Sequence, residues 1–380
     1  MRRGHLTPLV VLLTAAWLAS SYVVAAPASR IVAIGDVHGA GEAFVSILQR
    51  AGLIDAQRRW TGGTTVFVQT GDLLDRGTAV REVLDLLMKL EPEAARAGGR
   101  LELLLGNHEY MNLLAQTRDV APELFQSFAD AGSEQRREQA FAAAAKISRT
   151  GPLDRTAWLA EHPIGYVEYR DALRANAPYG RWLRSKRVVA EIDGTVFMHG
   201  GVNPEFTTES LDSINRRARR ELTEWEDGVR WLQQHNFAVP YSTFTEILDA
   251  VQAELTRLGT KRKQESLTDD DMSEIRVLLP LLNIGDSSLL NPNGPLWFRG
   301  FDTWTDAEGA GQIAGLLRKY RVKRFVTGHT PRPNGRITAR FDGALFLIDT
   351  GMLNGRFYPS GRPSALEIAG DTVTPLYVEK

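Results

Sequence analysis

The chain has no cysteine among its 380 residues. That absence excludes a disulfide framework, a thiolate zinc site, a cysteine nucleophile and a lipid-modified cysteine anchor. Any metal must therefore be held by His, Asp, Glu or Asn. Net charge is also nearly absent, with 45 Lys and Arg against 46 Asp and Glu. No basic surplus exists to neutralise nucleic acid or acidic lipid, so neither is expected as the main partner. Internal repeats and low-complexity tracts are missing as well. What remains is a globular chain of one large domain or two ordinary ones.

Long apolar runs are confined to the N-terminus. Arg2 and Arg3 form a basic start, "LVVLLTAAWLA" (9–19) an apolar stretch, and "VVAAPAS" a set of small residues suited to cleavage. The pattern reads as a signal peptide over 1–28, cleaved after Ala26 or Ala28, and places the mature protein outside the cytoplasm, in the periplasm of a double-membraned host. The alternative is an uncleaved anchor over 6–28, the one case in which membrane association is expected.

Beyond that segment the chain repeats one grammar. "SRIVAIGDVHG" is a short β run, 30–34, that stops at Gly35-Asp36. "TTVFVQTGD" is a second, 64–72, and "RLELLLGNHE" a third. Apolar residues at helical spacing follow the first two: Phe44, Ile47 and Leu48, then Val80, Val83, Leu84 and Leu87. Strand, polar tip, helix, repeated, predicts an α/β fold with a site beyond the carboxyl ends of the strands. "RVVAEIDGTVFMHGG" predicts a hairpin about Asp193-Gly194, and "VKRFVTGHT" another strand with a polar tip. Two more hairpins are expected about Asp342-Gly343 and Gly370-Asp371. Helical insertions are expected at about 116–186 and 205–290, within a single domain over 29–380. The charge run "TKRKQESLTDDD" (260–271) reads as a solvated loop.

The tips share one chemical demand. Singly, "GDVHG" or "GDLLDRG" could be an Asp-capped turn, and "MHGG" or "TGHT" a core histidine beside a glycine. Together they supply Asp36, His38, Asp72, Asn107, His199 and His329, a hard oxygen and imidazole set suited to two divalent cations. In extended backbone, Asp36 and His38 would point toward one ion.

In this order, "GDVHG", "GDLLDRG", "GNHE", "HGG" and "GH" resemble the calcineurin-like metallophosphoesterase superfamily. "DRG" and "GNHE" are similar to its phosphoprotein phosphatase branch, and "GNHEYMNL" with "GPLWFRG" to the Shewanella-like phosphatases. The resemblance implies a four-layer α/β/β/α sandwich. It implies that Asp36 and His38 bind one metal, that Asp72 bridges, and that Asn107, His199 and His329 complete the second. It further implies an Asp75–His108 pair, with Arg76 and Arg299 on the phosphate.

The chemistry fits these roles. Two cations, with manganese the first choice and iron or zinc also suited, acidify a bridging water for in-line attack. Guanidinium forks match phosphate oxygens. The leaving oxygen needs a proton, which an imidazolium at His108 held by Asp75 supplies. The expected substrate is a phosphorylated protein or a small phosphomonoester, with phosphotyrosine slightly ahead of phosphoserine or phosphothreonine. An exported nucleotidase or dinucleoside-polyphosphate hydrolase is the rival reading. His162 and His235 read as structural, Glu109 as a residue that orients its neighbours, Asp349 as a strand end at the edge of the site with a buried turn cap favoured, and Arg332 as solvated or phosphate-binding.

Overall fold

The computed structural model describes residues 30–148, 151–206, 208–355 and 357–378. The expected signal segment therefore lies outside the described residues. Among these residues, no helix is long and apolar enough to cross a membrane.

The described residues form two five-stranded sheets. The first has the order β10-β9-β1-β2-β3, with β1 (Ile31–Ile34), β2 (Val66–Gln69), β3 (Arg100–Leu103), β9 (Ser364–Ala369) and β10 (Thr372–Tyr377). The second has the order β4-β5-β6-β8-β7, with β4 (Val189–Ile192), β5 (Thr195–Met198), β6 (Arg324–Thr327), β7 (Thr338–Arg340) and β8 (Leu345–Leu347). Strands β1, β2 and β3 run parallel, as do β5, β6 and β8. All three expected hairpins are present as antiparallel pairs. Asp193 and Gly194 both take positive φ, 51° and 75°, which matches the twist of a two-residue hairpin turn.

Side-chain alternation builds the layers. Ile31, Ala33, Val66, Val68, Phe197, Val326, Phe346, Leu366 and Ile368 interdigitate as a core between the sheets. Their neighbours Val32, Ile34, Phe67, Val196, Met198, Phe325, Leu345 and Leu347 point the other way and pack under helices. Those helices include α1 (Gly41–Arg50) and α2 (Val80–Arg96), whose apolar faces carry Phe44, Ile47 and Leu48, and Val83, Leu84 and Leu87. A two-sided strand thus makes the sheets the inner layers and the helices the outer ones.

Between β3 and β4 the chain forms α3 (Asn107–Leu113), then α4 (Pro122–Phe128), α5 (Ser133–Ile147), α6 (Arg155–Glu161), α7 (Tyr166–Ala172) and α8 (Pro178–Arg184). Between β5 and β6 lie α9 (Leu211–Gln234), α10 (Phe244–Gln264), α11 (Asp269–Leu282), α12 (Gly300–Thr303) and α13 (Asp306–Tyr320).

Two local expectations change. The 260–271 run is not one solvated loop: its basic half closes α10 and its acidic half opens α11. Cations at a helix C-terminus and carboxylates at an N-terminus are favoured by the helix dipole, and Lys261 Nζ bonds Asp271 Oδ2 at 2.7 Å across the break. The second strand is shorter than 64–72. It stops at Gln69, because Gly71 takes φ 100° and the amides of Asp72, Leu73 and Leu74 turn to the Glu109 carboxylate.

Candidate active site

Six parallel strands deliver their carboxyl ends to one place. β1 leads to Asp36 and His38, β2 to Asp72, Asp75 and Arg76, and β3 to Asn107 and His108. β5 leads to His199, β6 to His329 and β8 to Asp349. Apart from Arg76, these side chains are buried. His38, Asp72, Asp75, Arg76 and His329 all sit at positive φ. Such backbone costs on the order of 1 kcal/mol or more at a non-glycine residue, and it concentrates at functional sites. Glycines admit the close approach. A Cβ on Gly106 would lie 2.2 Å from Asp72 Oδ1, and one on Gly328 would lie 2.3 Å from Asp36 Oδ1.

Asp72 Oδ2 is the focus. His199 Nε2 lies 3.3 Å away, His38 Nε2 3.5 Å and His108 Nε2 3.8 Å. Asp72 Oδ1 accepts from the His108 amide at 3.0 Å. Burial pushes the Asp72 carboxyl up, but His199, His108 and His38 outweigh it and hold it well below the usual range.

Backbone carbonyls aim the imidazoles. His38 Nδ1 donates to Leu74 O at 2.8 Å, His199 Nδ1 to Thr70 O at 3.0 Å, and His329 Nε2 to Trp297 O at 3.1 Å. A carbonyl can only accept, so in each neutral ring the other nitrogen presents a lone pair to the site. Burial, His199 and Arg299 hold His329 well below its usual pKa, and burial with Arg76 and His108 does the same for His38 despite Asp72. His199 Nε2 lies 3.1 Å from His329 Nδ1, 2.8 Å from Asn107 Oδ1 and 3.3 Å from Asp72 Oδ2. Two imidazole nitrogens, an amide oxygen and a carboxylate oxygen thus converge on one point, a donor set suited to a divalent cation. Carbonyl-anchored imidazoles are also the usual support of a metal site. Asp72, His199 and His329 form one group able to hold an ion, and His38, Asp72 and His108 another.

Asp36 is placed differently from the reading in which it shares a direction with His38. The chain turns at His38, φ 46°, instead of staying extended. The Asp36 carboxylate accepts from the His329 amide at 3.0 Å and bonds Asp349. Burial, then Asp349 and Asp72, push its pKa well up. Asp349 caps a turn through Gly351 N at 2.9 Å, as the sequence suggests, but it is also a carboxyl of the site floor. Its signal was present in the sequence: "LFLIDTG" is a further β run with an acidic tip.

The Asp75–His108 pair is assembled, with Asp75 Oδ2 2.5 Å from His108 Nδ1. Burial pulls His108 down, but Asp72 and Asp75 more than compensate and its net shift is upward. The Arg76 guanidinium spans His38 Nε2 at 2.5 Å and His108 Nε2 at 3.0 Å, and it bonds the Tyr358 hydroxyl. Arg299 is exposed at the rim, 2.9 Å from Thr330 Oγ1 and 3.2 Å from His329 O. Glu109 accepts only from backbone amides around the site. It takes the amides of Gly106, Asp72, Leu73 and Leu74, tying the second tip to the third.

Arg332 is paired with Asp302. His162 is buried against Trp158 O at 2.9 Å and Tyr241 O at 3.1 Å, and His235 stacks on Trp231; both are structural. Tyr358, Asn112 and Tyr169 were not anticipated. Tyr169 and Tyr358 are single polar residues in ordinary stretches, and Asn112 lies within "GNHEYMNL" with no local sign of a role; tertiary contact brings all three in.

A metal-ready floor beside an arginine and a carboxylate-held imidazole defines a phosphoester hydrolase. The chain belongs to the calcineurin-like phosphoesterase family, which matches residues 29–333. It is 37% identical over 207 residues to Shewanella-like protein phosphatase 2 of Arabidopsis thaliana, a match covering 52% of this chain and about half, 53%, of that relative. It is 27% identical over 339 residues to Shewanella-like protein phosphatase 1 of Plasmodium berghei, covering 89% and 71%. Among solved structures, the cold-active protein-tyrosine phosphatase of a psychrophilic Shewanella species shares the fold at TM-score 0.57 and 24% identity, covering 92% of this chain and 80% of that one.

Proposed function

We propose that the protein is a metal-dependent phosphomonoesterase acting as a protein phosphatase. The observation that carries this reading is the Asp75–His108 pair set 3.8 Å from the carboxylate oxygen on which the acceptor floor converges. Two divalent ions fit the donors of Asp36, His38, Asp72, Asn107, His199 and His329, manganese first. Such ions supply an acidified water and neutralise charge on the phosphoryl group.

The remaining steps belong to the chain. Arg76 turns its N–H groups from the imidazoles to the phosphoryl oxygens, with Arg299 closing from the rim. His108 Nε2 is then free to carry a proton. As the bond from phosphorus to the water oxygen forms and the ester bond breaks, His108 passes that proton to the leaving oxygen. Asp75 holds the imidazolium and its orientation throughout. Phosphotyrosine is the first substrate to test, because the Shewanella protein of like fold is a protein-tyrosine phosphatase. Residues 1–28 further support the proposal of work outside the cytoplasm, which cell fractionation checks.

The test uses metal-stripped protein given Mn²⁺ and assayed on p-nitrophenyl phosphate, phosphotyrosine, phosphoserine and phosphothreonine peptides, and a dinucleoside tetraphosphate. Manganese-dependent release, fastest from the aryl phosphates, is expected. No metal-dependent release from any of them would sink the enzyme reading, and preference for the dinucleotide would replace it with the nucleotide hydrolase.

A further inference from the structure

We propose that Tyr169 and Asn112 are positioning residues for the proton donor. They form a fixed chain of hydrogen bonds that runs from helix α7 to His108, and the proposal rests on His108 being the general acid. The Tyr169 hydroxyl donates to Asn112 Oδ1 at 2.7 Å. Asn112 Nδ2 donates to Asp75 Oδ1 at 2.8 Å and to His108 O at 2.9 Å. Asp75 Oδ2 then meets His108 Nδ1 at 2.5 Å. All four residues are buried, at most 2% exposed, so water does not substitute for any link.

The chain has a polarity that one proton sets. The Asn112 side chain is a carbonyl on one side and an amide on the other, and only the amide is tolerated against the Asp75 carboxylate. The phenol hydroxyl enforces that choice, because it donates to the carbonyl. Burial and the nearby Asp75 charge keep the phenol well above its usual pKa and therefore protonated. The ring is itself gripped edge-on by Phe125 and Phe128, with centroids 5.3 Å and 5.1 Å away. Asn112 lies one helical turn beyond His108, so its bond to His108 O ties the amide to the backbone of the residue it steadies. Without the hydroxyl, Asn112 Oδ1 loses its donor in a buried place and the amide is held from one side only. Asp75 would then rotate, and the imidazole would lose its aim. A segment of the helical region between β3 and β4 thereby reaches the reacting proton without touching substrate.

The experiment is a comparison of manganese-loaded wild type, Tyr169→Phe, Asn112→Ala, His108→Asn and Tyr169→Phe/His108→Asn. Each is assayed on p-nitrophenyl phosphate, which has a good leaving group, and phenyl phosphate, which has a poor one. Tyr169→Phe should lower kcat on phenyl phosphate by about tenfold, a part of the hundredfold or more that a general acid contributes. It should change p-nitrophenyl phosphate hydrolysis far less and leave KM and bound manganese unaltered. In the His108→Asn background it should have no further effect, since residues acting as one unit are non-additive. Equal loss on both substrates, or a full additional loss in the double variant, would overturn the proposal in favour of a packing role. Wild-type rates in both Tyr169→Phe and Asn112→Ala would overturn it too. If His108→Asn itself keeps full turnover on phenyl phosphate, it is the general-acid reading that fails.

Discussion

At the scale of single residues, the site depends on what is missing at Gly106 as much as on what its neighbours carry. A methyl group there would stand 2.2 Å from Asp72 Oδ1, 2.7 Å from Asp72 N and 2.9 Å from His199 Nδ1. None of those atoms is the end of a flexible chain: Asp72 is held at φ 57° and His199 is pinned by Thr70 O. Gly106→Ala must therefore displace Asp72, the one carboxylate shared by both metal-ready groups. The expected outcome is a loss of manganese affinity of at least about tenfold to a hundredfold, the range seen for displaced supporting groups at metal sites. Calorimetric titration of the stripped protein with Mn²⁺ checks it, and unchanged affinity would show that the floor yields more easily than its contacts indicate. This residue was legible as a turn glycine in "GNHE", but the reason was not. The sequence shows that Gly106 precedes Asn107; it does not show that Asp72 lies against its Cα.

At the scale of elements, the strand tips were legible because β runs end abruptly in polar residues, a pattern with no packing motive. The 260–271 segment was not, because a charge run looks the same in a loop and at two abutting helix ends. The structure resolves it through capping. Thr268 Oγ1 accepts from the Asp271 amide at 3.2 Å, while Asp271 Oδ2 accepts from the Thr268 amide at 2.7 Å and from Lys261 Nζ at 2.7 Å. Those bonds, that to Lys261 first, pull Asp271 from 3.8 down to about 2. A carboxyl whose folded pKa is depressed contributes stability above its unfolded value and loses it as pH falls through the folded one. Asp271→Asn should accordingly lower the urea midpoint at every pH above about 4. The gap to wild type should close between that pH and about 2. Thr268→Ala, which removes the other half of the box, should cost about 1 kcal/mol at neutral pH. A gap between wild type and Asp271→Asn that stays constant down to pH 2 would contradict the ion pair as its source.

At the scale of the whole molecule, two sheets that share one core aim six parallel strand ends at a single point. The sequence marked five of those ends, since their Gly-Asp, Gly-Asn-His, His-Gly-Gly and Gly-His tips stand out locally. The sixth, at Asp349, is legible as a strand end at the edge of the site, with a buried cap favoured; its bond to Asp36 is not, because it joins residues more than three hundred positions apart. The relay through Asn112 and Tyr169 was hidden for the same reason. This convergence also predicts how the fold responds to metal. Asp36, Asp72 and Asp349 crowd their carboxyls into one buried floor, and burial with that mutual repulsion is what raises Asp36. The imidazoles of His38, His199 and His329, each anchored on a backbone carbonyl, border the same space. Unfolding would separate all of these groups, so a cation bound there favours the folded chain by mass action. At free Mn²⁺ one hundred times the dissociation constant, the gain is about 2.7 kcal/mol per independent site. For a chain of this size the entropy of unfolding turns that into a rise in Tm of about 4 °C. Thermal melts of the stripped protein against Mn²⁺ should show this rise. Asp72→Asn should abolish most of it, because it removes the charge common to both groups, while His108→Asn should keep most of it, because the six proposed ligands do not include that imidazole. A Tm indifferent to Mn²⁺, or one that responds equally in both variants, would break the link between the convergent strand ends and the metal.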